Sequence, residues 1–151
     1  MLEVLRTNSS NDHFVALVKK LDAYLTITDG DEHAFYDQFN KIDNINHVVV
    51  YYENRIPVAC GAIKQMGSTN VWEVKRMFVE ENMRGKGVAS LVINELEKWA
   101  KELNAEKLVL ETGKRQTEAV AFYHKNDYQI TENFGQYIGV ENSICFEKLL
   151  Q

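Results

Sequence analysis

Residues 71–103 restrict the fold more than any other stretch, because a strand-like run passes through two close glycines straight into the most regular helix of the chain. The run is Val71-Trp-Glu-Val-Lys-Arg-Met-Phe-Val79, the connection ends in Arg84-Gly85-Lys86-Gly87, and the helix opens at Val88-Ala89-Ser90. Val88, Val92, Leu96, Trp99 and Leu103 then form one apolar stripe with Ala89, Ile93 and Ala100 beside it, the spacing of an amphipathic helix. Glu97 and Lys101 stand four apart in the favourable order and are expected on its solvated side. Asn104 is suited to end the helix in the left-handed conformation.

Glycines at a strand-to-helix junction let the backbone come close to a ligand, while the helix start offers unpaired N–H groups and the positive end of a dipole. Such a junction binds phosphate through its backbone, and Arg84 and Lys86 add positive charge. Taken alone, Gly85 and Gly87 read equally well as a turn before an amphipathic helix. The loop is not a P-loop, since GxxxxGK followed by Ser or Thr does not occur. It comes near the dinucleotide fingerprint, but Ser90 stands where the third glycine belongs. The preceding strand also carries Glu73, Lys75 and Arg76, unlike the buried strand of a doubly wound sheet. Dinucleotide binding is therefore the weaker alternative.

The rest of the chain supplies strands first and alternating elements later. Residues 1–7 read as a strand, and Ser10 or Asn11 as the cap of a helix with Phe14, Leu17, Val18, Leu21 and Leu25 on one face. Thr28-Asp-Gly-Asp31 should break it, with a second short helix over 32–41. Strands are expected over 47–53 and 58–64, joined tightly at Asn54-Arg55 with Pro57 at the start of the second, and over 107–112, 128–131 and 143–149. A helix should run from Gln116 or Thr117 to about Lys125. This pattern predicts one α/β domain over residues 1–151, a mixed and mostly antiparallel sheet of about six to seven strands flanked by about four helices.

A chain of 151 residues is long enough for one substantial core, and 45% hydrophobic with 26% charged residues is an ordinary globular mixture. The net charge of −5 argues against a nucleic-acid binder, which would carry a basic face. Cys60 and Cys145 lie far apart in apolar stretches and read as buried free thiols, with no metal set around them. The N-terminus does not read as a signal peptide and no apolar run approaches the ~20 residues of a membrane span. A cytoplasmic protein without a membrane partner is the expectation.

Arg84, Gly87 and Ala89 complete the pattern Arg-x-x-Gly-x-Ala, and here the chain resembles the GNAT superfamily of N-acetyltransferases, whose signature is Arg or Gln, two residues, Gly, one residue, then Gly or Ala. The strand 73–79 resembles the one before that signature. Leu110-Glu-Thr-Gly113, Gln116-x-Glu118-Ala119 and Ala121-Phe122-Tyr123 resemble the family's later strand and helix. The likeness runs from about Val48 to Leu149.

The resemblance implies acetyl-CoA as co-substrate, its pyrophosphate held by the backbone of Arg84, Gly85, Lys86, Gly87, Val88 and Ala89. The pantetheine arm would lie where Met77, Phe78 and Val79 part from the later strand, with Thr112, Gln116 and Phe122 nearby. No metal is implied. Tyr123 matches the tyrosine that protonates or hydrogen-bonds the CoA sulfur, and a phenol with a pKa near ~10 keeps its proton at neutral pH; packing against Val120 is the other reading. Glu73 alternates onto the face of Met77 and Val79 and would act there as the base, or else pair with Lys75 or Arg76. Asn126-Asp127 replaces the family's usual Gly before an aromatic, and both residues tolerate the left-handed conformation.

His33, Phe35, Tyr36, Phe39, Phe134, Tyr137 and Glu141 are candidates to line the pocket for a small amine or amino-acid-like acceptor, or are ordinary core and loop residues. Asp29-Gly-Asp-Glu32 lacks the remaining ligands of a calcium loop and reads as a turn. Direct transfer is expected, with a CoA-sensing domain or a lysine or N-terminal protein acetyltransferase as alternatives. A homodimer is expected by family habit alone.

Overall fold

The computed structural model describes residues 1–29 and 44–150. The expected short helix at 32–41 and the acceptor candidates His33, Phe35, Tyr36 and Phe39 lie outside the described residues. The strands are β1 (Leu2–Thr7), β2 (His47–Glu53), β3 (Ile56–Gln65), β4 (Val71–Val79), β5 (Lys107–Gly113), β6 (Gln129–Thr131) and β7 (Ser143–Leu149). They form one seven-stranded sheet in the order β1-β2-β3-β4-β5-β7-β6. Only β4 and β5 run parallel; every other neighbouring pair is antiparallel. The helices among the described residues are α1 (Asp12–Asp29), α2 (Val88–Glu102) and α3 (Thr117–Lys125).

Alternation along the strands divides the core into two layers. Val48 and Val50 of β2 face α1, packing with Phe14, Leu17, Val18, Cys60, Ala62 and Phe78. Val49 turns the other way, into a larger cluster with Val92, Ile93 and Leu96 of α2, Tyr123 of α3, and Trp72, Val74, Leu108, Leu110 and Phe146 of the sheet. Each fully buried Val, Leu or Phe contributes on the order of 1.5–3 kcal/mol of burial, so the sheet is fixed from both sides. No helix among the described residues is long and apolar enough to cross a membrane.

Local chemistry sets the joints. Asn11 accepts from the Phe14 N–H at 3.0 Å and caps α1. Asn54 and Arg55 take φ of 51° and 71°, the primed turn that matches strand twist in a two-residue hairpin. Asn104 (φ 66°) ends α2 as expected, and Asp127 (φ 71°) takes the left-handed position after α3.

Two expectations fail. Glu97 is not on the solvated side of α2: it is 9% exposed, accepting from the Tyr128 hydroxyl at 2.9 Å and the Lys148 ammonium at 3.0 Å. It lies on the flank of the stripe, between Ile93 and Ala100, where Tyr128 and Lys148 of β7 meet the helix. The second failure is the face of Glu73. In the β3–β4 ladder Cys60 opposes Phe78 and Ala62 opposes Lys75, so Gly61 faces two residues, Arg76 and Met77. Arg76 sits at φ 61° in this bulge. The extra residue reverses the alternation: Trp72 and Val74 face α2 upstream, Met77 and Val79 downstream. Glu73 therefore lies on the opposite face, toward α1.

Gly61 makes the bulge possible. A Cβ there would stand 2.6 Å from the Met77 sulfur, 2.8 Å from Val92 and 2.9 Å from Leu96.

Candidate active site

The parallel ladder between β4 and β5 consists of Val71 with Lys107, Trp72 with Leu108 and Glu73 with Val109. Beyond that rung both strands continue without pairing to each other, and β5 stays bound to β7 along its length. The gap opens a cleft of about 400 Å³ through the sheet. Its walls are the free stretches of β4 and β5, its ends are the loop after β4 and Tyr137, and Tyr24 of α1 and Tyr123 of α3 flank it.

At the loop, Gly85 (φ 77°) and Gly87 (φ 80°) both take left-handed backbone, which glycine adopts without steric cost. Nothing lies within 4 Å of a Cβ at either position, so the cradle is open. Gly87 precedes α2 without any side-chain cap. Among the described residues no hydrogen bond uses the N–H groups of Gly85 to Ser90. Arg84 is tethered, its Nε donating to the Val79 carbonyl at 2.9 Å and its guanidinium lying 5.3 Å over Tyr24 and 5.6 Å over Phe78. An open set of N–H donors at a helix start beside a tethered cation is an arrangement suited to an anion.

Tyr123 reaches the cleft from the α2 side. It is 7% exposed, wedged edge-on against Phe122 at 5.0 Å and Tyr128 at 5.6 Å. Its hydroxyl makes no hydrogen bond among the described residues, and burial holds its pKa above that of a free phenol. Glu73 faces the opposite side, half-buried at the vertex of the gap. Burial raises its carboxyl pKa, opposed in part by Lys75 and Lys64. Tyr137 closes that side; burial raises its phenol, and the nearby Glu111 and Glu73 add to the effect.

The expected site residues come together unevenly. Met77, Phe78, Val79, Arg84, Gly85, Ala89, Thr112, Gln116 and Phe122 line the cleft with Tyr123 and Glu73. Lys86 and Gly87 stand exposed at the loop outside the lining, and Val88 is buried in the core, leaving its backbone N–H as the group facing the loop. Thr112 is 5% exposed and its Oγ1 has no partner among the described residues. Phe134 packs edge-on against Tyr137 at 5.8 Å, and exposed Glu141 stands outside the lining. Sequence reasoning missed Glu111 and Arg76, both in the wall. The signal for Glu111 was a carboxylate directly after the apolar run Leu108-Val-Leu110, where it now accepts from the Ser143 hydroxyl at 2.7 Å.

Both thiols are buried and free, as expected. Burial pushes Cys60 up to about 12 and Cys145 to about 11, so neither is a thiolate at neutral pH.

A family profile described as "Acetyltransferase (GNAT) family" matches residues 14–128. A relative from Azospirillum brasilense named "IAA acetyltransferase" is 30% identical over 153 residues, 97% of each chain. A solved structure from Klebsiella pneumoniae subsp. pneumoniae MGH 78578, assigned as an acyl-CoA N-acyltransferase, superposes with a TM-score of 0.83 at 26% identity, covering 100% of this chain and 99% of the other. The PaiA N-acetyltransferase of Thermoplasma acidophilum, solved with coenzyme A, shares the fold with a TM-score of 0.73 at 13% identity over 99% of both chains.

Proposed function

The chain belongs to the GNAT family of acetyltransferases, and from that premise we propose that it moves an acetyl group from acetyl-CoA directly onto the primary amine of a small, amino-acid-like acceptor. One observation carries the reading. A single gap between β4 and β5 has an open anion cradle at one end, a protonated phenol on one face and a raised carboxyl on the other.

The donor fits the residues present. The N–H groups of Gly85 to Ala89 would hold a pyrophosphate, with Arg84 and Lys86 as local charge. The buried Thr112 hydroxyl supports a polar arm in the gap, because a buried hydroxyl left without a partner costs about 1–3 kcal/mol. Acetyl-CoA supplies an activated thioester; the remaining work belongs to this chain's side chains.

Glu73 takes the proton of the incoming ammonium from the α1 side, and its raised pKa brings it closer to the amine it must deprotonate. Tyr123 donates from the α2 side to the departing sulfur, giving its proton as the C–S bond breaks and the C–N bond forms. The acceptor enters past Tyr137 and Glu111, a phenol and a carboxylate suited to an amine. The burial of both cysteines, with their pKa values raised by it, supports direct transfer.

The test is calorimetric titration with acetyl-CoA, then free-thiol release across a panel of small amines, amino acids and lysine peptides. Binding with release on small amines supports the reading. Release only on peptides makes it a protein acetyltransferase, and binding without release on any amine makes it a sensor.

A further inference from the structure

A buried tyrosine hydroxyl and a part-buried ion pair, its Lys148 side chain 23% exposed, stand directly behind Tyr123. The Tyr128 hydroxyl donates to Glu97 Oε2 at 2.9 Å, and Lys148 Nζ donates to Glu97 Oε1 at 3.0 Å and to the Asn126 carbonyl at 3.0 Å. Tyr128 is 1% exposed, and Lys148 Nζ lies 5.4 Å over its ring. The three side chains come from α2, the connection between α3 and β6, and β7.

This group is joined to Tyr123 twice. The Tyr128 ring stands edge-on to the Tyr123 ring at 5.6 Å and 71°, and the Tyr128 N–H donates to the Tyr123 carbonyl at 3.0 Å. Asn126, whose carbonyl Lys148 holds, donates from its side chain to the Phe122 carbonyl at 2.9 Å. The last turn of α3, which carries Tyr123, is thus clamped from behind at both backbone and ring.

Stability alone does not explain such a group. A part-exposed ion pair contributes little net stability, because desolvation and side-chain ordering offset most of the attraction. Apolar packing, however, lets a ring slide, whereas directional hydrogen bonds fix it. The outlay in desolvation is intelligible where a ring must be held in register, and the ring held here is the one against which Tyr123 rests.

We propose that Glu97, Tyr128 and Lys148 are positioning residues that fix the reach of the Tyr123 phenol into the cleft. The inference rests on Tyr123 being the donor to the departing sulfur. Its consequence is that disrupting the group lowers turnover while leaving acetyl-CoA binding in place, because the cradle at Gly85 and Gly87 lies at the other end of α2 from Glu97.

The experiment uses Tyr128→Phe, Glu97→Gln and the repacked Glu97→Met/Tyr128→Phe, with Tyr123→Phe as reference. Each is read by calorimetry with acetyl-CoA, by thiol release on the fastest amine of the panel, and by the ring-carbon resonance of Tyr123 in tyrosine-labelled protein, assigned by its loss in Tyr123→Phe. Tyr128→Phe and the repacked variant should lose about tenfold or more in kcat, with unchanged acetyl-CoA affinity. Their Tyr123 resonance should shift and broaden at a melting temperature near that of the parent. Glu97→Gln, which keeps an acceptor for Tyr128, should retain most of the activity. An unmoved Tyr123 resonance, or unchanged kcat beside an impaired Tyr123→Phe, overturns the positioning role alone. Full activity in Tyr123→Phe overturns the donor reading beneath it. If no amine turns over, the resonance decides whether the group holds Tyr123 in place.

Discussion

Glu73 stands opposite Val109 on the last rung of the parallel ladder, and past that rung β4 and β5 part. The carboxylate therefore sits at the vertex of the cleft, on the side away from Tyr123. In the proposed reaction, proton removal from the acceptor and proton delivery to the sulfur would approach the same gap from opposite faces of the sheet.

Glu73→Gln should reduce kcat/KM on the order of 10²-fold, the lower range for loss of a general base, without loss of acetyl-CoA affinity. Burial holds the folded pKa of Glu73 above its unfolded value, so the folded state binds more protons in the window between the two. Stability contributed by Glu73 therefore falls as pH rises through that window. The variant should be no less stable than the parent at neutral pH. The parent's activity should fall as pH drops through the raised pKa, and Glu73→Gln should lack that limb; a pH–rate profile with parallel thermal melts measures both.

Tyr123→Phe should lower kcat by about 10²-fold and leave acetyl-CoA binding unchanged. Burial keeps the phenol protonated beyond the ordinary phenol range, so no alkaline loss of activity from Tyr123 is expected below about pH 10. Calorimetry separates this from a packing defect, which would weaken binding as well.

Gly87→Ala and Gly61→Ala should fail differently. At Gly87 no atom is near the new methyl, and the cost is the left-handed backbone at φ 80°, about 1–2 kcal/mol. The cradle shifts and acetyl-CoA binds more weakly. At Gly61 the methyl meets Met77, Val92 and Leu96 at under 3 Å, which should cost on the order of 1–3 kcal/mol of overpacking. Denaturant melts and calorimetry on both variants separate a loop defect from a core defect.

Much of this was legible beforehand. The strand 71–79, the stripe from Val88 to Leu103 and the left-handed Asn104 and Asp127 all follow from local rules, and each recurs in the structure. The face of Glu73 was not legible, because the bulge at Arg76 is set by Gly61 on the neighbouring strand. Alternation counted along one strand cannot register a residue inserted against another. Glu97 was misread for a related reason: the charge pairing with Lys101 outweighed its place between Ile93 and Ala100, both of which are buried. A lysine at 148, alternating with Ile144 and Phe146 on the inner face of β7, was the missing partner.

Cys145→Ala should retain activity, and iodoacetamide should leave the native protein unlabelled at neutral pH. Both thiols are buried, with pKa values raised to about 12 at Cys60 and about 11 at Cys145. Mass spectrometry of native and unfolded samples checks this. A stoichiometric acetyl-thiol adduct would point to a two-step route instead of direct transfer.

Calorimetric titration with acetyl-CoA, followed in the same preparation by thiol release on the amine panel, tests the central claim most directly. The account predicts saturable binding that Gly87→Ala weakens, and amine-dependent release that Tyr123→Phe and Glu73→Gln suppress. Failure of the parent protein to bind acetyl-CoA would contradict it.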